Sequence, residues 1–317
     1  MLKGNIPISP VTQKADTKIV DSIAVIDIIN LYQKRFRVDV SKYFKGLSKV
    51  EVAECSATGY RFYYPFEIAG NGTFYEELQK AMAGDDSYYR PWGYDHEYAR
   101  EKINKDEHVL DIGCGSGNFL KKIREKTDKV YGLEFNNKAI EDCKKEGLTV
   151  FAETIEHHSE RYAGFYDVVC AFQVLEHVYK INEFITATVK VLRKGGRLII
   201  GVPNNEPYFQ RFNKYSTLNL PPHHMGLWNR KAFEKIQEQF HIKLKEVNYV
   251  GKDKWLVDAY FRAKYWFNIK SIIHQHTLGE KIKMLLAAPV TVPLSLLKKL
   301  TSGINGGYIV VLFEKLD

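Results

Sequence analysis

The sequence has few cysteines and no long apolar run. Its four cysteines lie far apart in 317 residues without any C-x-x-C pair, which argues against a zinc site and against a disulfide framework. No stretch reaches the roughly 18 uninterrupted apolar residues of a spanning helix, and no basic region followed by an apolar segment opens the chain. We therefore expect a protein of the reducing cytoplasm that is neither exported nor inserted across a membrane.

Internal repeats, low-complexity linkers and arginine-rich runs are also absent. Hydrophobic residues make up 45% and charged residues 26%, which is typical of a globular protein with a sizeable core. Lysine and arginine outnumber aspartate and glutamate by 46 to 38, and this formal charge of +8 mildly favours anionic partners. Phosphorylated sugars and anionic lipid surfaces fit this charge, as does a simple solvated basic surface; without an RNA-binding signature, we do not expect nucleic acid.

The middle of the chain alternates short apolar runs with amphipathic stretches, which is typical of βαβ units that build a parallel sheet. The predicted strands are 108–112, 129–135, 148–152, 166–172 and 197–202. The predicted helices between them are 118–126, 138–146 and 181–192. Right-handed crossovers favour a doubly wound α/β layout, with the ligand crevice at the carboxyl ends of the strands.

Two later strands are predicted at 242–250 and 307–314, with an insertion at about 252–302 between them. The insertion is aromatic and helical in its first half and contains an apolar stretch, 285–297, that lysines flank on both sides. We expect this helical insertion to form a cap over the substrate crevice. Peripheral contact with the inner face of a membrane is the alternative.

The first hundred residues form a less regular segment in which only 22–35 is predicted to be helical. We expect residues 1–100 to be an N-terminal extension that packs on the core domain, residues 101–317. Within the extension, Trp92 and Tyr94 belong to an aromatic and basic patch that is a candidate acceptor surface, although ordinary packing on the core is the favoured explanation. The other members of the patch are Tyr88, Tyr89 and Arg90.

A glycine-rich turn follows the first core strand. Asp111 ends the strand, and Gly113, Gly115 and Gly117 follow at alternate positions before a helix. Glycines allow a sharp turn and close approach of a ligand. The carboxylate of Asp111 would repel the pyrophosphate of a dinucleotide but attract the ammonium group of S-adenosylmethionine (SAM). Glu134 ends the second strand, where such folds bind ribose hydroxyls, so the spacing predicts a SAM site.

Four passages resemble the class I SAM-dependent methyltransferases, especially the branch related to ubiquinone-biosynthesis O-methyltransferases and to methyltransferases of surface-polysaccharide clusters. They are VLDIGCGSG at 109–117, YGLE at 131–134, YDVVCAFQVLEHV at 166–178 and LRKGGRLIIGVPN at 192–204. The resemblance implies a Rossmann-like seven-stranded sheet whose last strand is antiparallel.

The resemblance also implies which residues bind the cofactor. Thr154 and Ile155 would lie against adenine, and Gln173 would border the methionine part of SAM. One departure is Glu153, which stands where the family often has glycine. The complete set of predicted cofactor-binding residues is Asp111, Gly113, Cys114, Gly115, Glu134, Phe135, Thr154, Ile155, Gln173 and Glu176.

Three histidines are candidates for catalysis. Methyl transfer to an alcohol requires placement of the oxygen and removal of a proton, and histidine suits the second task near neutral pH. His177 follows the fourth strand, whereas His223 and His224 follow two prolines that stiffen a loop. The alternatives are that His177 helps to open the next helix and that the other two shape their loop. We assign no metal, because a single Glu-His pair does not establish one.

Together these features predict a methyltransferase that modifies an oxygen or nitrogen atom of a small or lipid-linked acceptor, with a sugar in bacterial surface-glycan biosynthesis as the leading class. An aromatic or quinone-like lipid precursor is the chief alternative. A catalytically silent SAM-binding domain is the hypothesis from another class. A nicotinamide-dependent dehydrogenase is disfavoured by Asp111.

Overall fold

The computed structural model describes residues 6–82, 92–206, 215–251 and 306–316. The predicted insertion at 252–302 lies outside these ranges, and so do Tyr88, Tyr89 and Arg90 of the aromatic patch. Both the predicted cap and its alternative, a membrane-contacting segment at 285–297, therefore remain predictions. Within the described ranges, no helix combines the length and the apolar character needed to cross a bilayer.

The described chain contains nineteen helices and strands besides short 3-10 turns. The strands are β1 (Thr17–Ala24), β2 (Lys49–Cys55), β3 (Arg61–Tyr64), β4 (Val109–Ile112), β5 (Val130–Leu133), β6 (Thr149–Phe151), β7 (Tyr166–Phe172), β8 (Leu192–Pro203), β9 (Gly226–Leu227), β10 (Ile242–Val250) and β11 (Tyr308–Lys315). The helices are α1 (Val25–Phe36), α2 (Gly72–Ala81), α3 (Tyr94–Lys102), α4 (Asn118–Ile123), α5 (Asn137–Lys145), α6 (Ile155–Arg161), α7 (Ile181–Val191) and α8 (Arg230–Ile236).

The larger sheet in the described part of the chain has seven strands in the order β10-β11-β8-β7-β4-β5-β6. Strands β4 to β8 pair in parallel, whereas β11 runs antiparallel to both β8 and β10. Helices connect the parallel strands, and β4 and nearly all of β7 are buried because the sheet is covered on both faces. The predicted doubly wound, Rossmann-like sheet with an antiparallel last strand is confirmed.

The order of strands reverses between β4 and β7, because β5 lies on one side of β4 and β7 on the other. The carboxyl ends of these two strands therefore flank a crevice, which is where ligands bind in open α/β sheets. The turn after β4 and the loop after β7 meet at this place, so the fold brings the two principal sequence motifs together.

The N-terminal extension is more regular than its sequence predicts. Strands β1, β2, β3 and β9 form a second, antiparallel sheet, and β9 comes from the segment after β8. The helix predicted at 22–35 is partly wrong, because residues 22–24 belong to β1 and pair with β2; for example, Ile23 lies opposite Val50. Cross-strand pairing outweighs helical periodicity there.

The extension packs directly on the larger sheet. Phe62 of the smaller sheet and Val11 before it belong to the same buried cluster as Val169 of β7 and Ile200 of β8. The backbone amide of Tyr63 also donates to the carbonyl of Met225 at 2.9 Å. The proposed division at residue 100 falls inside α3, and the division itself stays a prediction.

Candidate cofactor and acceptor site

The glycine turn after β4 has a backbone that ordinary residues rarely adopt. Gly113, Gly115 and Gly117 all have positive φ, at 72°, 52° and 73°. A Cβ on Gly113 would lie 2.6 Å from Cγ2 of Val174, in the loop after β7. Glycine is therefore required at this position by its backbone conformation and also by a close contact.

Glu134, directly after β5, fixes this turn in place. One oxygen of its carboxylate accepts a hydrogen bond from the amide of Gly115 at 2.9 Å. The other accepts from the amides of Phe135 at 2.7 Å and Asn136 at 2.9 Å. The carboxylate thus joins the glycine turn to the end of the neighbouring strand, in addition to its predicted role toward ribose hydroxyls.

Asp111 is a buried acid among other acids. Burial raises the pKa of its carboxyl group well above the usual range, and the negative charges of Glu134 and Asp95 raise that pKa further. A carboxylate in such surroundings gains much from a nearby cation, because charges interact strongly where water is excluded. The site is therefore electrostatically suited to the positively charged methionine part of SAM.

The loop after β7, residues 173–177, supplies further polar groups. Gln173 has a positive φ of 55°, and its amide donates to the carbonyl of Gly201 at 2.8 Å. Among the described residues, Nε2 of Gln173 and both carboxylate oxygens of Glu176 are buried without a hydrogen-bond partner. Burial raises the pKa of Glu176 to about 8. Buried polar atoms of this kind favour a bound polar ligand, and they fit the predicted contacts with SAM.

The other predicted cofactor contacts occupy different surroundings. Cys114 is buried, and its sulfur fills the space where Gly132 has no side chain, 2.5 Å from the position of a Cβ. Phe135 is 67% exposed at the end of β5, where its ring is available to a ligand. Thr154 accepts a hydrogen bond from the amide of His157 and so caps α6, while Ile155 belongs to the buried core. Their roles toward adenine stay predictions.

Glu153, which departs from the resembling family, is committed to neighbouring side chains. It contacts Nδ1 of His158 at 2.6 Å and forms an ion pair with Arg161. The other ring nitrogen of His158, Nε2, lies 2.7 Å from the hydroxyl of Tyr166 in β7. Glu153 thereby orients His158, which attaches α6 to β7 through Tyr166.

The three candidate histidines lie together. His177, His223 and His224 each offer a ring nitrogen, and these nitrogens all lie within 4.8 Å of one another. We refer to these three residues as the histidine triad. The rings of His223 and His224 stack with centroids 4.6 Å apart, and the ring of His177 stands edge-on to both, at 4.6 Å and 4.8 Å.

The Nδ1 atom of every triad ring faces an oxygen. His177 Nδ1 lies 2.7 Å from the carbonyl of His223, and His223 Nδ1 lies 2.8 Å from the carbonyl of Leu218. His224 Nδ1 lies 3.1 Å from the side-chain oxygen of Asn219. Since these oxygens accept hydrogen bonds, Nδ1 carries the proton in each ring and Nε2 carries the lone pair.

Burial keeps the triad uncharged. It lowers the pKa of His177 to about 4, although neighbouring backbone carbonyls oppose the shift. Burial and the neighbouring histidines hold the pKa values of His223 and His224 well below the usual range. The hydroxyl of Tyr75 approaches the group from α2, 3.2 Å from the carbonyl of His223. The triad therefore presents neutral imidazoles, which can accept a proton or bind a cation.

A family model described as a methyltransferase domain matches residues 86–247, which is more than half of the chain. The chain belongs to this methyltransferase family. A solved SAM-dependent methyltransferase from Archaeoglobus fulgidus is similar in fold, with a TM-score of 0.50 and 16% identity over 76% of this chain and 100% of the other. The predicted family, the enzyme class and SAM as cofactor are thereby confirmed.

Curated relatives match a shorter part of this methyltransferase. An Escherichia coli protein named ubiquinone biosynthesis O-methyltransferase is 31% identical over 102 residues, 30% of this chain and 42% of its own length. A protein of the same name from Sodalis glossinidius is 28% identical over 107 residues, 32% of this chain and 43% of its own. The match thus spans less than half of each relative's length.

One acid of the methyltransferase site escaped the sequence analysis. Asp95 lies in the first turn of α3, in the N-terminal extension, and its charge raises the pKa values of both Asp111 and Glu176. A Cβ on Gly201 of β8 would lie 2.9 Å from its carboxylate. Acids are common in the first turn of any helix, so the sequence carried no signal that singled out this one.

Polar residues after β8 hold the surroundings of the histidine triad, which we call the acceptor side of the site. The side chain of Asn219 donates to Asn205 at 2.9 Å while its oxygen faces His224, so these residues form one buried chain of hydrogen bonds. Asn204 donates to the carbonyl of Gly306 at 2.8 Å.

In the aromatic patch, the ring of Trp92 stacks on the ring of Phe119 with centroids 6.1 Å apart, as expected for packing of the extension on the core.

Proposed function

We propose that this methyltransferase transfers a methyl group from SAM to a hydroxyl oxygen of a small or lipid-linked acceptor that binds beside the histidine triad. One observation carries the proposal. The loop after β7 contacts the glycine turn through Val174 and the acceptor side through His177, whose Nδ1 lies 2.7 Å from the carbonyl of His223. A single short segment therefore links the cofactor site to the triad.

The chemistry requires placement and one proton transfer. When bound, SAM supplies an activated methyl group on a sulfonium centre. Methylation would replace the O–H bond of the acceptor by an O–CH₃ bond and leave the cofactor as a neutral thioether, so the hydroxyl proton would pass to a base, either a neutral imidazole of the triad or a water molecule. Asp111 and Glu134 hold the cofactor, and the triad receives and activates the hydroxyl, since placement supplies most of the rate enhancement of such a displacement.

The polarity of the acceptor side supports a sugar as the leading acceptor class. The polar groups that meet there include three imidazoles and the hydroxyl of Tyr75, which suit an acceptor with several hydroxyls, while the ring of Phe74 beside His223 gives the same place an aromatic face. We therefore keep bacterial surface-glycan biosynthesis as the proposed setting. A lipid-linked sugar would bring the protein to the inner face of the membrane.

A phenolic hydroxyl of an aromatic or quinone-like lipid precursor is the second candidate. It is favoured by the curated relatives, which are named ubiquinone biosynthesis O-methyltransferases and match about a third of the chain. The chemistry at the oxygen is the same for both candidates. The two candidates are distinguished by testing which acceptor the protein methylates.

The test is formation of S-adenosylhomocysteine by the purified full chain. SAM carrying a labelled methyl group is supplied with nucleotide sugars, lipid-linked sugars and catechols in parallel, and the methylated product is identified by mass spectrometry. Turnover with a sugar supports the leading class, and turnover with catechols alone replaces it by the second candidate. A methylated nitrogen instead of oxygen would overturn hydroxyl transfer.

A matched pair of variants shows that the activity comes from the cofactor site. Asp111→Asn is expected to weaken SAM binding strongly and to reduce turnover with it, while leaving binding measurable at high SAM concentration. Glu141→Gln, an exposed change in α5, is expected to leave both at the level of the unaltered protein.

A further inference from the structure

We propose that His177, His223 and His224 form a binding site for one divalent transition metal ion, of which zinc fits best. From the sequence we assigned no metal, because a single Glu-His pair does not establish one; the fold adds ligands from a second segment, 46 residues further along the chain. In the described residues these three imidazoles bring their nitrogens within 4.8 Å of one another. The site lies beside the acceptor rather than within the glycine turn.

The outer hydrogen bonds of the triad match those of metal-binding histidines. Such histidines donate the proton of one ring nitrogen to a carbonyl or side-chain oxygen, which fixes the tautomer and leaves the other nitrogen for the metal. Here Nδ1 of His177 and of His223 faces a backbone carbonyl, and Nδ1 of His224 faces Asn219 Oδ1. The side-chain nitrogen of Asn219 donates to Asn205, so the orientation of this amide is fixed as well.

The donor set selects the class of metal. Three imidazoles without a carboxylate suit zinc and neighbouring transition metals, whereas magnesium and calcium require oxygen ligands. Three protein ligands also leave a fourth position open, as in catalytic zinc sites. Zinc–nitrogen bonds of about 2.0–2.1 Å place tetrahedral ligand atoms roughly 3.4 Å apart, so the triad must close by up to about 1.4 Å to bind the ion. His177 lies in the loop after β7 rather than in a helix or strand, which allows this movement.

The catalytic role of the metal ion rests on the proposed function, because the ion would act on the acceptor hydroxyl. An acceptor hydroxyl in the open position would lose its proton to water more readily, because a bound cation stabilises the resulting negative oxygen. The same coordination would aim that oxygen toward the cofactor. Metal binding itself does not depend on which acceptor is correct.

Metal content and spectroscopy test the site without any assay of activity. The full chain is stripped with a chelator, dialysed against zinc or cobalt, and examined by elemental analysis and visible absorption. We expect one ion per chain, visible cobalt bands typical of four-coordination, and nitrogen scatterers at about 2.0 Å in zinc X-ray absorption. No retained metal, or oxygen-only coordination, would overturn the proposal.

Variants locate the ion. His177→Gln and His224→Gln keep a hydrogen-bonding side chain but remove the imidazole, and each is expected to weaken cobalt affinity by at least about 100-fold. His157→Gln, a matched change of a side chain that is 57% exposed, is expected to leave the affinity unchanged. Unaltered affinity in both triad variants would place the metal elsewhere. If a triad variant fails to fold by circular dichroism, the X-ray absorption of the unaltered protein decides.

Failure of this inference is distinguishable from failure of the proposed function. Absence of a bound ion in a chain that methylates hydroxyls would overturn the metal site while leaving the proposed function intact, and full turnover by the metal-free chain would overturn the metal's role toward the acceptor. A stoichiometric three-nitrogen metal site in a chain that methylates only nitrogen would retain the metal site and overturn the proposed function.

Discussion

The amide of Gly115 donates a hydrogen bond to the carboxylate of Glu134 at 2.9 Å. This bond joins the turn after β4 to the end of β5, so the glycine turn and the acid predicted to bind ribose form one unit. Glu134 also accepts from Phe135 and Asn136, and three backbone donors hold its carboxylate in a single orientation. The cofactor site is therefore preorganised by the protein itself.

Glu134→Gln is expected to weaken SAM binding about 10- to 100-fold. The amide has only one accepting oxygen, so its NH₂ group must face at least one of the backbone donors, and hydrogen bonds to charged groups contribute about 1.5–3 kcal/mol. Isothermal titration calorimetry with SAM measures the effect, and Glu141→Gln is the matched control on exposed α5. Equal affinity of the two variants would contradict the assigned cofactor site.

SAM binding is expected to strengthen as pH rises through the raised pKa of Asp111. Burial and neighbouring acids keep this carboxyl protonated to a higher pH than usual, and a cationic ligand favours its ionised form. Without ligand, a raised carboxyl pKa makes the folded state lose stability as pH increases; with SAM bound, this loss is reduced. The increase in melting temperature caused by SAM should therefore grow with pH.

Asp111→Asn supplies the control for this pH dependence. The variant removes the titrating group, so most of the pH dependence of the SAM-induced shift should disappear. Glu176, whose pKa is raised to about 8, acts in the same direction and accounts for what remains. A pH profile identical to that of the unaltered protein would show that Asp111 does not titrate with ligand binding.

Gly113→Ala is expected to destabilise the fold more than Gly164→Ala. Both glycines have positive φ, near 70°, which costs about 1–2 kcal/mol for an ordinary residue. Only at Gly113 does the added methyl group meet a neighbour, Val174 at 2.6 Å, since nothing lies within 4 Å of it at Gly164. Urea unfolding measures the difference.

Val174→Ala combined with Gly113→Ala separates the two effects. Shortening Val174 relieves the contact but not the backbone strain, so the double variant should recover to about the stability of Gly164→Ala after correction for Val174→Ala alone. Absence of any recovery would mean that the close contact contributes nothing.

The cofactor half of the site was predictable because its signals are local. The strand, the acid and the three glycines occur within a few residues, and apolar runs identify the neighbouring strands. On the acceptor side, the three histidines were candidates from the sequence, but their meeting in space was not predictable, because His177 and His223 are 46 residues apart. They meet because the amides of Met225 and Gly226 both donate to the carbonyl of Glu176, and backbone pairing of this kind leaves no mark in residue types.

The smaller sheet was missed for a related reason. Its last strand, β9, has only two residues, too few for any alternation of apolar and polar side chains. Phe62 pairs with Gly226 across the sheet, so a segment from the core domain completes the extension. Asp95 was missed because it reaches the site only through the packing of α3 on the larger sheet, and the sequence does not show how α3 packs.

Glu246→Gln is expected to lower the free energy of unfolding by about 0.5–1 kcal/mol at neutral pH, as measured by urea titration. Glu246 of β10 accepts from Lys102 at 2.7 Å and from Tyr98 at 2.8 Å, and so attaches α3, which carries Asp95, to the larger sheet. These two hydrogen bonds lower the pKa of Glu246. The stabilisation is therefore present above the unfolded-state pKa and is lost as pH falls through the lowered pKa.

The matched control for this attachment is Glu314→Gln in β11. Glu314 contacts only Lys245 in the described salt bridges, at 3.2 Å, and both side chains are about 40% exposed, so its removal should cost less. The difference between the two variants should shrink at low pH, where Glu246 is protonated, and at high salt, which screens partly exposed pairs. Equal effects of both variants at every pH would show that Glu246 adds nothing beyond an ordinary surface pair and that other contacts hold α3 in place.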